Sequence, residues 1–363
     1  MGSRQVGKTT LAREIQRTID NPVVFLDLEL DSDLQKLADA KTYLKQHLDK
    51  CVIIDEIQRM PRLFALLRPL VDLNRIPGRY LILGSASPSL IKDSSETLAG
   101  RIGYIELSPI SLMELYGEIP MRTHWLRGGF PDALLAPKLT FTWRWLENFR
   151  RTFSERDLRE LGYEIPPARI MLLLKMLSHL NGQILNVAQL AGSMGISQPT
   201  VKRYLDLLEG GFIINRLQPY FINVGKRLVK SPKVYFRDSG FFHEVANIYD
   251  LESLYGNPSV GNSWESYVIE QIRRAVSSRW EFYFYRTHNG AEIDLILITP
   301  KGKMACIEIK YSNAPSVSKG FYNSVADLKS DYQYIITPES ETYLKRDNVL
   351  VCNLVHFLTV ILP

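Results

Sequence analysis

The sequence predicts an α/β chain: a parallel-sheet nucleotide domain lacking its first strand, a helical connector, a winged helix and a second α/β domain. Three observations predict it. Gly2-Ser3-Arg4-Gln5-Val6-Gly7-Lys8-Thr9 spells G-x-x-x-x-G-K-T ahead of a helix-prone stretch. Cys51-Val52-Ile53-Ile54 is a buried-strand run that ends in the paired acids Asp55-Glu56. The last hundred residues read as one helix and three strands carrying Glu265, Asp294, Glu308 and Lys310.

In the first domain, residues 1–110, the two glycines let backbone wrap a polyphosphate. Lys8 can reach β- and γ-phosphates, Thr9 can ligate Mg²⁺, and the helix from Thr10 to Ile19 points its positive end at the anion. Gly2, Gly7, Lys8, Thr9, Thr10 and Asp55 are therefore the candidate ATP-binding residues, with Thr9 and Asp55 on Mg²⁺ and Glu56 orienting the attacking water. Val23 to Leu28 reads as a doubly buried strand, and Arg79 to Ser85 as a third parallel strand that delivers Ser85 to the γ-phosphate edge. Ser85 is a candidate polar sensor or a turn serine. Arg101 is either an arginine finger offered to a neighbouring subunit or the partner of an acidic surface residue, and Gly103 to Leu107 reads as another strand. A phosphate loop normally hangs from a central strand, so an open apolar slot is expected in this sheet, with an upstream in-frame stretch of five or six apolar residues to fill it.

The remaining boundaries fall at 111–165, 166–250 and 255–363. Residues 111–165 are helical and aromatic, with Trp125, Trp143 and Trp145 available for packing, and read as a lid or connector. Ala168 to Leu180, Val187 to Ala191 and Gln198 to Glu209 make three helices with Gly195 at the turn, a helix-turn-helix whose wing is built from Phe212 to Ile214 and Val234 to Phe236. Ser197, Gln198, Thr200, Lys202 and Arg203 would face DNA. Between Ile196 and Arg237 fall eight of the chain's 44 lysines and arginines (Lys202, Arg203, Arg216, Lys226, Arg227, Lys230, Lys233, Arg237) against two of its 39 acids, although the net charge is only +5. That clustering suits a nucleic-acid surface or a solvated face.

In the final domain, period-two alternation puts Glu308 and Lys310 on one strand face while Ile307 and Ile309 enter the core, and Asp294 projects opposite Ile293 and Leu295. With Glu265 they resemble the E…D…E-x-K pattern of the PD-(D/E)XK nuclease fold, a resemblance that implies Asp294 and Glu308 hold Mg²⁺ against a phosphodiester while Lys310 steadies the attacking water. A surface ion pair would look similar.

At 363 residues, about 150 per domain allows two or three cores. The three cysteines form no C-x-x-C pair and sit among apolar neighbours, which suits buried thiols in a reducing cytoplasm. No run of eighteen apolar residues suits a membrane span. His288, beside Asn289-Gly290, reads as a turn residue.

The blocks GSRQVGKTTLAREI, VIIDEIQRMP, YLILGSASPSL, LAGRIGYIELSPISLMEL, GGFPDAL, SPKVYFRDSG and GNSWESYV together resemble a prokaryotic group of AAA+-type ATPases. That group's C-terminal half is a restriction-endonuclease-like domain of unknown function. The resemblance implies a Mg²⁺-dependent ATPase controlling a DNA-associated module. The E…D…E-x-K order, with Glu265, Asp294, Glu308 and Lys310 in catalytic places, is similar to the PD-(D/E)XK nuclease fold. Two other functions fit the same residues: a nucleotide switch or scaffold with an inactive nuclease fold, and a DNA nuclease with a regulatory ATPase. Homo-oligomers suit either.

Overall fold

A computed structural model of the chain describes residues 1–84, 97–160, 163–221 and 228–362. It divides into two compact units, one of residues 1–109 with 210–212, the other of 110–209 with 213–363. The sequence boundaries at 165/166 and 250/255 both fall inside the second unit.

The first unit is a three-stranded parallel sheet ordered β1 (Val23–Asp27), β2 (Cys51–Asp55) and β3 (Tyr80–Ile82). All five residues of β2 are buried, because alternate side chains feed two layers. Val52 and Ile54 pack with Leu63, Leu67 and Leu70 of the Leu63–Leu73 helix, while Cys51 and Ile53 pack with Ala12 of the Lys8–Thr18 helix. Burial of apolar surface on both faces explains why the strand reads as an unbroken hydrophobic run.

Gly103 to Leu107, expected as a strand, is not one. It is extended backbone that pairs with the chain's first residue: the Met1 ammonium donates to Ile105 O at 2.7 Å, and Leu107 N–H donates to Met1 O at 2.7 Å. The approach is so close that a Cβ on Gly2 would stand 2.2 Å from Leu107 O. An apolar groove of about 440 Å³ runs along β3, lined by Leu11, Ile15, Phe64, Leu81, Ile105 and Leu107 among others.

The second unit carries a nine-stranded sheet ordered β11-β12-β10-β9-β8-β7-β5-β6-β4. Its strands are β4 (Gln183–Ile184), β5 (Ile214–Pro219), β6 (Lys233–Phe236), β7 (Glu281–Arg286), β8 (Glu292–Ile298), β9 (Met304–Ile309), β10 (Tyr332–Thr337), β11 (Tyr343–Leu344) and β12 (Leu350–Asn353). Strands β5 and β6, which span the residues expected as a wing, pair antiparallel, and Gln218 and Pro219 of β5 pair in parallel with Tyr283 and Phe284 of β7. These strands and the C-terminal strands are therefore one sheet.

The helices Pro167–His179, Val187–Met194 and Gln198–Gly210 fall where the 3.6-residue pattern put them. Gly195 caps the second at φ 62°, a left-handed position that favours glycine. Residues 110–160 pack inside this unit: Trp125 Nε1 donates to Ser263 Oγ at 3.0 Å, Trp143 Nε1 donates to Tyr249 O at 2.8 Å, and Trp145 stacks on Phe149. His288 lies in the turn between β7 and β8. Cys51, Cys306 and Cys352 are buried and free, and no described helix is long and apolar enough to cross a membrane.

Candidate functional site

The loop between Met1 and the Lys8–Thr18 helix is held open by two left-handed residues, Gln5 at φ 62° and Gly7 at φ 90°. Gly7 is the helix N-cap, and Leu11 N–H donates to Gly7 O at 2.8 Å. Lys8 is buried and donates to Ser3 O at 2.7 Å and Gly2 O at 3.3 Å, so its ammonium lies on the loop's own carbonyls.

From the carboxyl end of β2, Asp55 Oδ2 accepts from Thr9 Oγ1 at 2.6 Å, and Asp55 is 2 % exposed. This joins the two residues that the sequence assigned to Mg²⁺. Glu56 follows at φ 54°, a left-handed position rare for a non-glycine residue and common where function fixes the backbone. Burial pushes its carboxyl above the usual range, opposed by the hydrogen bond from Gln58 Nε2. The glycine cradle, Lys8, Thr9 and Asp55 fit a nucleotide with Mg²⁺. Thr10 is exposed on the same helix. Ser85 lies outside the described residues. Arg101 makes a bidentate pair with Asp72, Nε to Oδ1 and Nη2 to Oδ2, each at 2.9 Å, the acidic-partner arrangement of its two expected roles.

The second constellation assembles as the sequence order suggested. Glu265 on the Val260–Ala275 helix, Asp294 on β8 and Glu308 on β9 are all nine-tenths buried, and Lys310 follows β9 directly. Lys310 Nζ lies 2.7 Å from Glu308 Oε1 and 3.9 Å from Asp294 Oδ2, and Asp294 Oδ2 also accepts from Ile309 N–H at 2.9 Å. Glu308, expected on the strand face opposite Ile307 and Ile309, is 5 % exposed because both faces of β9 are covered. Burial, reinforced by the Asp294 charge, pushes its carboxyl up to about 8.

Two residues that sequence reasoning did not place here complete the cluster. Lys233 of β6 reaches Glu265 Oε1 at 3.0 Å, Glu292 Oε1 at 2.7 Å and Asp294 Oδ1 at 3.9 Å, and Tyr235 OH donates to Glu265 Oε1. Burial raises Glu265 to about 7 against the pull of Lys233, and Glu265 and its neighbours hold Lys233 charged well above its ordinary range despite burial. Among the described residues no group of three or more His, Cys, Asp or Glu is arranged to hold a metal ion. With an ammonium among the carboxylates, these residues do not fit a divalent cation. The available signal was a lysine opening the apolar strand Val234-Tyr235-Phe236.

On the Gln198–Gly210 helix, Gln198, Lys202 and Arg203 are exposed and Thr200 is half-buried. Ser197 Oγ caps the helix by accepting from Thr200 N–H at 3.3 Å and pairs with Thr200 Oγ1 at 2.8 Å, so part of its polarity is used locally. Arg203 lies over the Tyr163 ring at 5.7 Å. The expected basic surface is smaller than the sequence count. Arg216 pairs with Asp206 and Glu209, Arg237 with Glu270, and Lys233 is buried, while Lys226 and Arg227 lie outside the described residues.

The sequence blocks interlock. Gly128 of GGFPDAL stands at φ 76°, where a Cβ would meet Asp238 Oδ1 of SPKVYFRDSG at 2.0 Å. Asp238 accepts from Gly129 N–H at 2.7 Å and from Phe241 N–H at 2.9 Å. Ser263 of GNSWESYV bonds both Trp125 and His243. Burial lowers His124 and His243 to about 4, so both are neutral.

Comparison with known proteins agrees with this division. An AAA domain model matches residues 1–116, a domain of unknown function (DUF8612) matches 120–252, and another (DUF4143) matches 260–357. The DUF8612 and DUF4143 segments share the nine-stranded sheet, and Lys233 of the former meets Glu265 of the latter. Uncharacterized proteins of Mycobacterium bovis and Mycobacterium tuberculosis are each 38 % identical over 349 residues, 96 % of this chain and 78 % of theirs. The chain therefore belongs to the family of these mycobacterial proteins, with an ATPase-type AAA domain at its head.

Proposed function

We propose that the protein is a Mg²⁺-dependent ATPase whose nucleotide state controls a DNA-associated second unit. The carrying observation is the 2.6 Å bond between Thr9 and Asp55 at the mouth of the glycine loop. Lys8, Thr9 and Asp55 would hold the nucleotide and Mg²⁺, which together supply the phosphoanhydride and its charge neutralisation. Lys8 leaves the Ser3 and Gly2 carbonyls for the phosphates. Glu56, kept basic enough to take a proton and strained into place, positions the attacking water. The exposed Gln198, Lys202 and Arg203 make the recognition helix the DNA-contacting element.

The test is ATP turnover with and without duplex DNA. Lys8→Ala should abolish nucleotide binding, whereas Glu56→Gln should bind ATP and lose turnover by about 10²-fold or more. Equal turnover in all three proteins would overturn the ATPase reading. Lys202→Ala with Arg203→Ala should flatten the log–log salt dependence of DNA binding by up to about 2 units. A salt-independent interaction would assign the helix to protein docking.

A further inference from the structure

The acid cluster of the second unit already contains its own cation. Lys233 Nζ stands 3.0 Å from Glu265, 2.7 Å from Glu292 and 3.9 Å from Asp294, and its side chain is 3 % exposed. We propose that Lys233 is a built-in counter-ion in the position a divalent metal would need, so that the cluster is a metal-independent lock between the wing strand and the C-terminal sheet and does not cut phosphodiesters. This deepens the proposed function by making the second unit a binder rather than a nuclease.

The donor and acceptor inventory favours the lock. An ammonium offers three hydrogens and accepts none, and Lys233 meets carboxylates of the Val260–Ala275 helix and of β8. Glu265 Oε1 is further used by Tyr235 OH. Asp294 Oδ2 is used by Ile309 N–H and lies near Lys310, and Glu308 Oε1 by Lys310. Within the cluster Glu308 Oε2 is buried without a hydrogen bond. Mg²⁺ demands a near-octahedral set of oxygens at about 2.0–2.1 Å and several retained waters. Two ammonium groups seated among these carboxylates oppose a divalent cation there, and a protonated Glu308 suits the buried, unbonded oxygen.

The geometry also explains why the lysine comes from β6. That strand pairs with β5, which pairs with β7, and just before β6 Leu228 bridges Thr287 while Val229 N–H donates to Arg286 O at 3.0 Å, so the backbone already ties the wing strands to the C-terminal sheet. The salt bridges from Lys233 are a side-chain fastening that reaches past β5 and β7 to Glu292 and Asp294 of β8.

The experiment uses the full chain with Asp55→Asn, which silences the phosphate-loop carboxylate. All five tryptophans lie in the second unit, at positions 125, 143, 145, 264 and 280, so the midpoint of their fluorescence change on heating reports on that unit. The proposal expects the same midpoint in EDTA and in millimolar Mn²⁺, no bound Mn²⁺ by electron paramagnetic resonance, and no nicking of supercoiled DNA. Lys233→Ala should lower the midpoint and make it rise again with Mn²⁺, while Lys233→Arg should stay indifferent. A Mn²⁺-dependent midpoint with Lys233 in place, or nicking abolished by Glu308→Gln, would overturn the proposal. So would a folded Lys233→Ala protein indifferent to Mn²⁺. If Lys233→Ala does not fold, the measurements with Lys233 in place decide. ATP turnover is measured on the chain with Asp55 intact, so its absence would sink the ATPase reading alone.

Discussion

Lys8 and Lys233 are both buried lysines beside a motif carboxylate, and they do opposite things. Lys8 rests on two backbone carbonyls of a loop, neutral acceptors that a polyphosphate can replace. Lys233 is surrounded by carboxylates that already satisfy its charge. The contrast shows that a motif's residue types do not specify whether the chain or a ligand completes the electrostatics. In the first unit the chemistry is left for a ligand; in the second the fold has closed it.

The largest effect that would break this comparison is on stability. Lys233→Met takes a cation from the buried Glu265 and Asp294, and breaking a buried ion pair from one side costs about 3–5 kcal/mol. Lys8→Met removes the hydrogen bonds to the Ser3 and Gly2 carbonyls, which water can solvate, so about 1–3 kcal/mol is expected together with loss of nucleotide binding. Denaturant unfolding of both variants, followed by tryptophan fluorescence for Lys233 and by circular dichroism for Lys8, checks the ranking. Similar losses would show that the two lysines are not different in kind.

How much of this was legible follows the same line. The helix after the glycine loop and the helices Val187–Met194 and Gln198–Gly210 are local patterns, legible from glycine spacing and period 3.6, whereas the Thr9–Asp55 bond joins residues far apart in sequence. The grouping of Glu265, Asp294, Glu308 and Lys310 was legible because strand order brings neighbouring strands together. Lys233 was not. Its carboxylate partners lie on a helix and a strand far along the chain, and in sequence it sits in a run of basic residues that suggested a surface. Arg216 and Arg237 misled for the same reason, since each turns toward acids that composition cannot place beside it. The strand expected at Gly103 to Leu107 failed because its residues pair with a single residue, Met1, and not with a full strand.

A smaller effect sharpens the comparison through pH. Glu265 and Glu308 are raised to about 7 and about 8 from an ordinary 4.5, so the folded unit binds more protons than the unfolded chain in that interval. Their contribution to stability is fully present below about pH 4.5 and is lost as pH rises through 7 to 8. His124 and His243 act in the other direction: lowered to about 4 from 6.5, they contribute stability that is present above pH 6.5 and lost as pH falls toward 4. Between about pH 4.5 and 6.5 the two pairs oppose each other, so the tryptophan-reported midpoint should be level there and decline from about pH 6.5 to 8. Glu308→Gln should remove much of that decline and uncover a fall toward acid pH. A midpoint flat from pH 6.5 to 8.5 in the parent protein would show that these carboxyls are solvated.

The smallest expected effect is at Arg101. Its guanidinium grips both oxygens of Asp72 within its own unit, and that pair depresses the Asp72 carboxyl to about 2. Both side chains are open to water, where such pairs contribute little because solvent screens them and two long side chains lose freedom. Arg101→Ala should therefore leave the unfolding midpoint of the first unit within scatter and leave ATP turnover unchanged. An arginine acting in a neighbouring subunit's site would behave differently, since removing such a finger lowers turnover by about 10³-fold or more with folding intact. Turnover of Arg101→Ala, measured across protein concentrations that span monomer and oligomer, separates the two. A fall seen only where copies associate would take Arg101 away from Asp72 and make the first unit's site, unlike the closed cluster of the second, one that another chain completes.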